Sequence, residues 1–196
     1  QDSLPFIPTT MEVQIITVEP EVPLNEIDKV KNRLRMLTEE VTSGKSQFST
    51  LAVVHSQDPG TALRGGEYGF TTRSSLVPEF ANAVFSMSDP NKISNVVETE
   101  YGYHIIQFLE RRGDMVNFRH ILLKPEIPQV QLDTAIVRLD SIRNGIMNKK
   151  ITFDEAATFL SADKDTRNNK GIMVNNRPNS QNAGTPRFQL SELNQD

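Results

Sequence analysis

Cysteine is absent from this chain of 196 residues, which excludes disulfides, thiolate zinc sites and cysteine nucleophiles together. Histidine is scarce: His55, His104 and His120 are scattered without ligand spacing, so the sequence implies neither a metal nor another cofactor. No apolar run approaches the length of a membrane span. A strong charge of one sign is missing too. The net charge is −4, from 21 basic and 25 acidic residues that are interspersed, which argues against nucleic acid as the main partner. The chain opens on Gln1 with no Met and no signal-like apolar stretch, the expectation being a processed or excised fragment.

What the chain does contain is an internal repeat at a fixed offset of 105 residues. Val13-Gln-Ile-Ile-Thr-Val-Glu-Pro-Glu-Val-Pro23 lies over Phe118-Arg-His-Ile-Leu-Leu-Lys-Pro-Glu-Ile-Pro128 without a gap. The same offset puts Leu34 over Leu139, Phe48 over Phe153, Ala52 over Ala157, Ser56 over Ser161 and Asp58 over Asp163. A repeat of this length is a domain rather than a solenoid unit. The expected organisation is a lead-in over 1–11, a complete domain over 12–110, a linker over 111–116, and the N-terminal part of a second domain over 117–196.

Periodicity supplies the elements. Glu12 to Glu19 is rich in Val, Ile and Thr and predicts a strand. Leu24, Ile27, Val30, Leu34, Leu37 and Val41 recur at helical spacing and predict an amphipathic helix ending near Gly44. A shorter helix follows over Phe48 to His55, then a loop with Gly65, Gly66 and Gly69, where positive φ or close backbone packing is expected. Pro78 to Met87 predicts another helix, with Pro at its first position. Ile93 to Glu100 and Tyr103 to Leu109 predict strands joined through Gly102. The order β-α-α-β-α-β-β makes an α+β fold, and a four-stranded antiparallel sheet is expected in which 12–19 lies beside the last strand. The second copy replays a strand (Asn117 to Lys124), a long helix, and a short helix opened by a Thr152–Glu155 capping box. Asn168 to Pro186 is crowded with Asn, Gly, Pro and Ser and reads as a long loop; Ser191 to Asp196 reads as the start of a helix.

Five motifs stand in a recognisable order: Ser56-Gln-Asp-Pro-Gly60, Gly65-Gly-Glu-Tyr-Gly69, Leu76-Val-Pro-Glu-Phe80, Ala83-Val-Phe85 and Thr99-Glu-Tyr-Gly-Tyr-His-Ile-Ile106. In this order they resemble the parvulin-type peptidyl-prolyl isomerases, and the tandem arrangement resembles the SurA-like periplasmic foldases. The resemblance implies an isomerase and folding factor outside the cytoplasm. Its partners would be unfolded or extended proline-containing clients, outer-membrane proteins among them. It implies catalytic roles for Asp58, Thr99 and His104, and a proline pocket formed by Leu76, Phe80 and Phe85. One family element is missing from the first copy: gapless registration puts Ile15 where the first-strand His belongs, whereas the second copy keeps His120 there, with Asp163 as its acidic partner. The expectation is therefore that most isomerase activity of the complete protein needs the second copy, whose site is incomplete here, so that this chain binds extended peptides through Leu76, Phe80 and Thr99 yet isomerises them weakly. The alternative is a non-catalytic peptide-binding chaperone module that retains the groove.

The chemistry needs no nucleophile. Rotation about an X–Pro bond faces a barrier of about 18–20 kcal/mol because amide resonance must be broken. A catalyst needs an apolar slot for the ring and polar groups that disfavour the charge-separated planar amide. Leu76 and Phe80 can share a helical face and line such a slot, and Phe85 is either its floor or core. Asp58 either repels the partial charge on the carbonyl or orients His104, and an Asp before Pro-Gly is also an ordinary turn former.

Overall fold

In the computed structural model, which describes residues 9–193, the chain forms two units: the contiguous block Val22–Ile127, and a second made of Gln1–Glu21 together with Pro128–Asp196. The first eight residues of the expected lead-in over 1–11 and the last three residues of the expected terminal helix lie outside the described residues. None of the described helices is long and apolar enough to cross a membrane.

The contiguous block holds helices α1 (Leu24–Thr42), α2 (Phe48–His55) and α3 (Pro78–Phe85), with strands β2 (Thr71–Thr72), β3 (Val97–Thr99), β4 (Gly102–Arg112) and β5 (Met115–Leu123). The apolar stripe of α1 does what its spacing predicts. Leu34 and Leu37 are fully buried and pack with Phe48, Leu51 and Ala52 of α2 against Tyr103, Ile105 and Ile121. Past Ser43 the helix ends at Gly44, whose φ of +74° an L side chain adopts only under strain. Helix α3 starts on Pro78, where a missing N–H costs nothing. It buries Phe80 and Val84 against Ile106, Phe108, Val116 and Phe118. Alternate residues of β4 thus serve opposite faces: Tyr103 and Ile105 face α1 and α2, whereas Ile106 and Phe108 face α3.

The four strands form an antiparallel sheet in the order β2-β5-β4-β3. The expectation of an α+β fold with a four-stranded antiparallel sheet is met, but the strand beside β4 is not 12–19. It is β5, paired Ile105 to Ile121 and Ile106 to His120. The expected linker 111–116 is part of this hairpin, whose two strands are separated by Gly113 and Asp114 alone. Two physical terms favour β5. Closing a two-residue turn confines far less chain than recruiting a strand from beyond α1. The rival strand also carries smaller or more polar side chains: β5 offers Phe118 and Leu122, both buried, where Val13 and Thr17 would stand. A fully buried Leu contributes roughly 1.5–3 kcal/mol. The contacts within the chain group 22–127 together, and 1–21 with 128–196, rather than following the repeat. The predicted strand from Ile93 shortens to β3, preceded by a single bridge between Ile93 and Gln107.

In the second unit, β1 (Thr10–Glu12) pairs with β6 (Arg187–Gln189). Beyond β1, Val13 to Thr17 runs as extended chain: Ile15 N–H donates to Gly171 O (2.8 Å), Met173 N–H to Val13 O (3.0 Å) and Ala162 N–H to Thr17 O (2.9 Å). Helices α4 (Gln129–Met147) and α5 (Phe153–Leu160) follow, and both hydrogen bonds of the Thr152–Glu155 capping box are made. The expected loop over 168–186 winds around Asn175, a fully buried residue whose side-chain amide donates to Ser180 Oγ and Arg187 O.

Candidate active site

The site is built where β4 and β5 run side by side. His104 on β4 and His120 on β5 are 5% and 6% exposed, and their rings meet edge to face at 5.7 Å between centroids. Phe80, delivered by α3, stands edge-on to both rings, 5.1 Å from His104 and 5.5 Å from His120. Phe118 packs against Phe80 at 5.2 Å and stacks on Tyr68 at 5.1 Å. This aromatic cluster floors a groove of about 390 Å³ that Leu76, Thr99, Tyr101 and Asp58 also line.

Asp58 enters from the turn after α2. Its Oδ1 accepts from Gly60 N–H (3.2 Å), the ordinary work of an Asp in a turn. Its Oδ2 accepts from the Thr61 hydroxyl and lies 3.0 Å from His120 Nε2. The turn reading of this residue is therefore met by one oxygen, while the other faces His120 across the groove. Burial pushes the Asp58 carboxyl up, but the hydrogen bonds from Thr61 and Gly60 and the neighbouring His120 together hold it below the usual range. Being ionised, Asp58 can only accept, so His120 Nε2 carries the proton of that contact. Burial lowers the pKa of both histidines, His104 down to about 4, and each lowered value favours the neutral ring at pH 7. On the other side of the groove the Thr99 hydroxyl lies 2.8 Å from His104 Nε2.

The strand carrying His120 is locked by backbone. His120 N–H donates to Gly66 O (3.0 Å), Gln57 N–H to Leu122 O (2.8 Å) and Tyr68 N–H to Phe118 O (3.0 Å). Gly66 has φ +79°, and a Cβ there would sit 2.3 Å from His120 O. Here glycine is required both for its conformation and for the close approach of the strand.

Asp58, Thr99, His104, Leu76 and Phe80 are thus brought together. His120 joins them, which corrects the expectation that it belongs to a separate site with Asp163: the carboxylate beside it is Asp58. The reason is the hairpin, which folds β5 back onto β4. Asp163 lies in the other unit, where its Oδ2 accepts from Thr166 N–H (3.0 Å) and from the Thr166 hydroxyl. The position that His120 holds is taken there by Ile15. Phe85 does not line the groove; of the two places expected for it, it takes the core, packed against the Phe80 cluster, with the guanidinium groups of Arg73 and Arg111 at 5.7 and 5.5 Å from its ring. The residue that sequence reasoning missed is Thr61, 3% exposed, whose hydroxyl meets Asp58 and lies 3.3 Å from His120 Nε2. Its signal was in the repeat, since Asp58 and Thr61 recur as Asp163 and Thr166 at the same offset.

Residues 15–110 and 120–189 match the rotamase family described as the PPIC-type PPIASE domain. Proteins called Chaperone SurA are similar over half the chain: 41% identical over 97 residues in Shewanella sp. (strain MR-7), 38% over 104 residues in Methylococcus capsulatus, and 37% over 108 residues in Idiomarina loihiensis. The aligned segments span 50–53% of this chain but only 22–24% of the length of those relatives. With the family matched over most of its length, the chain belongs to the PPIC-type, or parvulin, rotamases and is related to the SurA chaperones.

Proposed function

We propose that the Val22–Ile127 unit is a working peptidyl-prolyl cis-trans isomerase that acts on extended, proline-containing segments of unfolded client proteins. The observation that carries the reading is the complete polar set around one apolar groove: Asp58 on His120, Thr99 on His104, and Phe80 against both rings. The proline ring sits on Phe80 and beside Leu76, where water is excluded. In the planar amide the carbonyl oxygen carries partial negative charge; twisting the bond removes that charge and returns the lone pair to nitrogen. The ionised Asp58 disfavours the planar form and leaves the twisted one untouched. The neutral histidines supply hydrogen bonding without a positive charge that would hold the planar amide in place. A thousandfold acceleration needs only about 4 kcal/mol, within reach of a few such terms in a dry groove.

The non-catalytic alternative rested on Ile15 as the replacement for a site histidine. That Ile15 lies in the other unit, with His120 in this groove, supports the catalytic reading over it. Kinship with proteins called Chaperone SurA supports unfolded clients; outer-membrane proteins among them, and an extracytoplasmic setting, belong to the same proposal. The test is isomerase turnover on a proline peptide by the whole chain. Asp58→Ala and His104→Ala should each remove most of it while the fold survives. Turnover at the uncatalysed rate in the unsubstituted chain sinks the reading.

A further inference from the structure

The two family matches, 15–110 and 120–189, follow the sequence repeat, yet the folded units do not. The chain passes from one unit to the other between Glu21 and Val22, and passes back between Ile127 and Pro128. These crossings occupy nearly the same place in the repeat, inside Pro20-Glu-Val-Pro23 and Pro125-Glu-Ile-Pro128. The block between them therefore begins with the helix that follows the first strand and ends with a first strand borrowed from the next copy.

We infer that Val22–Ile127 is a self-sufficient, circularly permuted isomerase module, inserted in the chain immediately after the first strand of the other unit. Three observations carry this. First, within the block the slot beside β4 is filled by β5 along its whole length, from Tyr103 opposite Leu123 to Arg112 opposite Met115. Second, the polar contacts of the groove (Asp58, Thr61, Thr99, His104 and His120) all begin and end inside the block. Third, the rival strand is already engaged elsewhere, through a matching set of bonds: Ile15 to Gly171, Val13 to Met173 and Thr17 to Ala162 repeat at the 105-residue offset the bonds of His120 to Gly66, Phe118 to Tyr68 and Leu122 to Gln57. Even the steric detail recurs, since a Cβ on Gly171 would lie 2.5 Å from Ile15 O, as one on Gly66 would press on His120 O. Each first strand is specified for the unit it occupies, and the module's boundaries are one strand later than the repeat suggests.

The activity readout rests on the proposed isomerase function; the folding readout does not. The experiment starts from the full chain with a specific protease site built into each crossing, at 21/22 and at 127/128. After both cuts the 22–127 fragment is isolated, unfolded in urea and refolded. The expected result is a single cooperative unfolding transition and turnover within twofold of the uncut chain. A companion chain is cut instead at Gly113–Asp114, and its 22–113 fragment, which lacks β5, should show neither property. A 22–127 fragment without cooperative unfolding overturns the inference, as does a folded 22–113 fragment that keeps full turnover. Should the uncut chain prove inactive, cooperative refolding of 22–127 still decides for the module, and only the isomerase reading falls.

Discussion

The two units present one strand motif in two settings. In the contiguous block, His120, Ile121 and Leu122 are all buried, between helices on one face and the aromatic cluster on the other. In the other unit the matching Ile15, Ile16 and Thr17 are only half-buried, although the backbone bonds on their inner edge are the same. Backbone pairing is thus common property of the repeat, while burial and chemistry depend on what stands beside the strand. For His120 that neighbour is β4, with His104 and the Phe80 ring beyond it.

The largest contrast should come from the helices. Leu34 is fully buried and its counterpart Leu139 is 42% exposed. Leu34→Ala should cost about 2–5 kcal/mol of unfolding free energy, whereas Leu139→Ala should change it by about 0.5 kcal/mol, as surface changes do. Urea titration of the two variants checks this, and equal losses would mean that the second unit is as well covered as the first. Next come the matched glycines. Gly66→Ala must shift the strand that carries His120, so turnover should fall with stability, by about 1–3 kcal/mol for the positive φ alone. Gly171→Ala is as strained locally but should leave turnover unchanged.

The third contrast is chemical. His120→Ile should lower kcat/KM about 10²-fold, in the range of one lost acid–base or hydrogen-bonding group, and adding Ile15→His should restore nothing. Recovery in that double variant would put residue 15 in the groove and break the strand assignment. The last contrast is the pH dependence. His104 has a folded pKa of about 4 against an ordinary 6.5, so between these values the unfolded chain binds more protons than the folded one. Its contribution is present in full above about pH 6.5, declines as the pH falls toward 4, and levels off below. Comparing urea midpoints of the parent and His104→Gln at pH 7 and 4.5 isolates it; parallel pH slopes would mean that His104 is not held neutral.

Much of this was legible in the residues. The stripe from Leu24 to Val41 located α1, the Thr152–Glu155 pair located the start of α5, and the order of glycine and aromatic motifs brought Asp58, Leu76, Phe80, Thr99 and His104 to one groove. What could not be read was which of two strands at matching positions of the repeat fills the slot beside β4. Periodicity is the same for Val13–Val18 and Phe118–Leu123, and registration against a family assumes that a domain follows chain order. The deciding terms, a two-residue turn and the greater bulk of Phe118 and Leu122, are energetic comparisons between alternatives and leave no motif. Phe85 left two places open, floor or core, and the structure takes the second: it packs against the Phe80–Phe118 cluster, with Arg73 and Arg111 over its ring.

The borrowed strand also sets a timetable for synthesis. Every pairing in the four-stranded sheet is available once residue 123 has emerged, and its longest hairpin joins neighbours in sequence. The strand at Val13 to Thr17 is made first, yet its partners at 161–173 come about 150 residues later, so it waits through the synthesis of an entire domain. Domains fold as units as they leave the ribosome, and local contacts form fastest. The hairpin turn at Gly113 and Asp114 therefore seals the first sheet before any competition for the slot can be settled by slow rearrangement, and the early strand is left with the partner that arrives last.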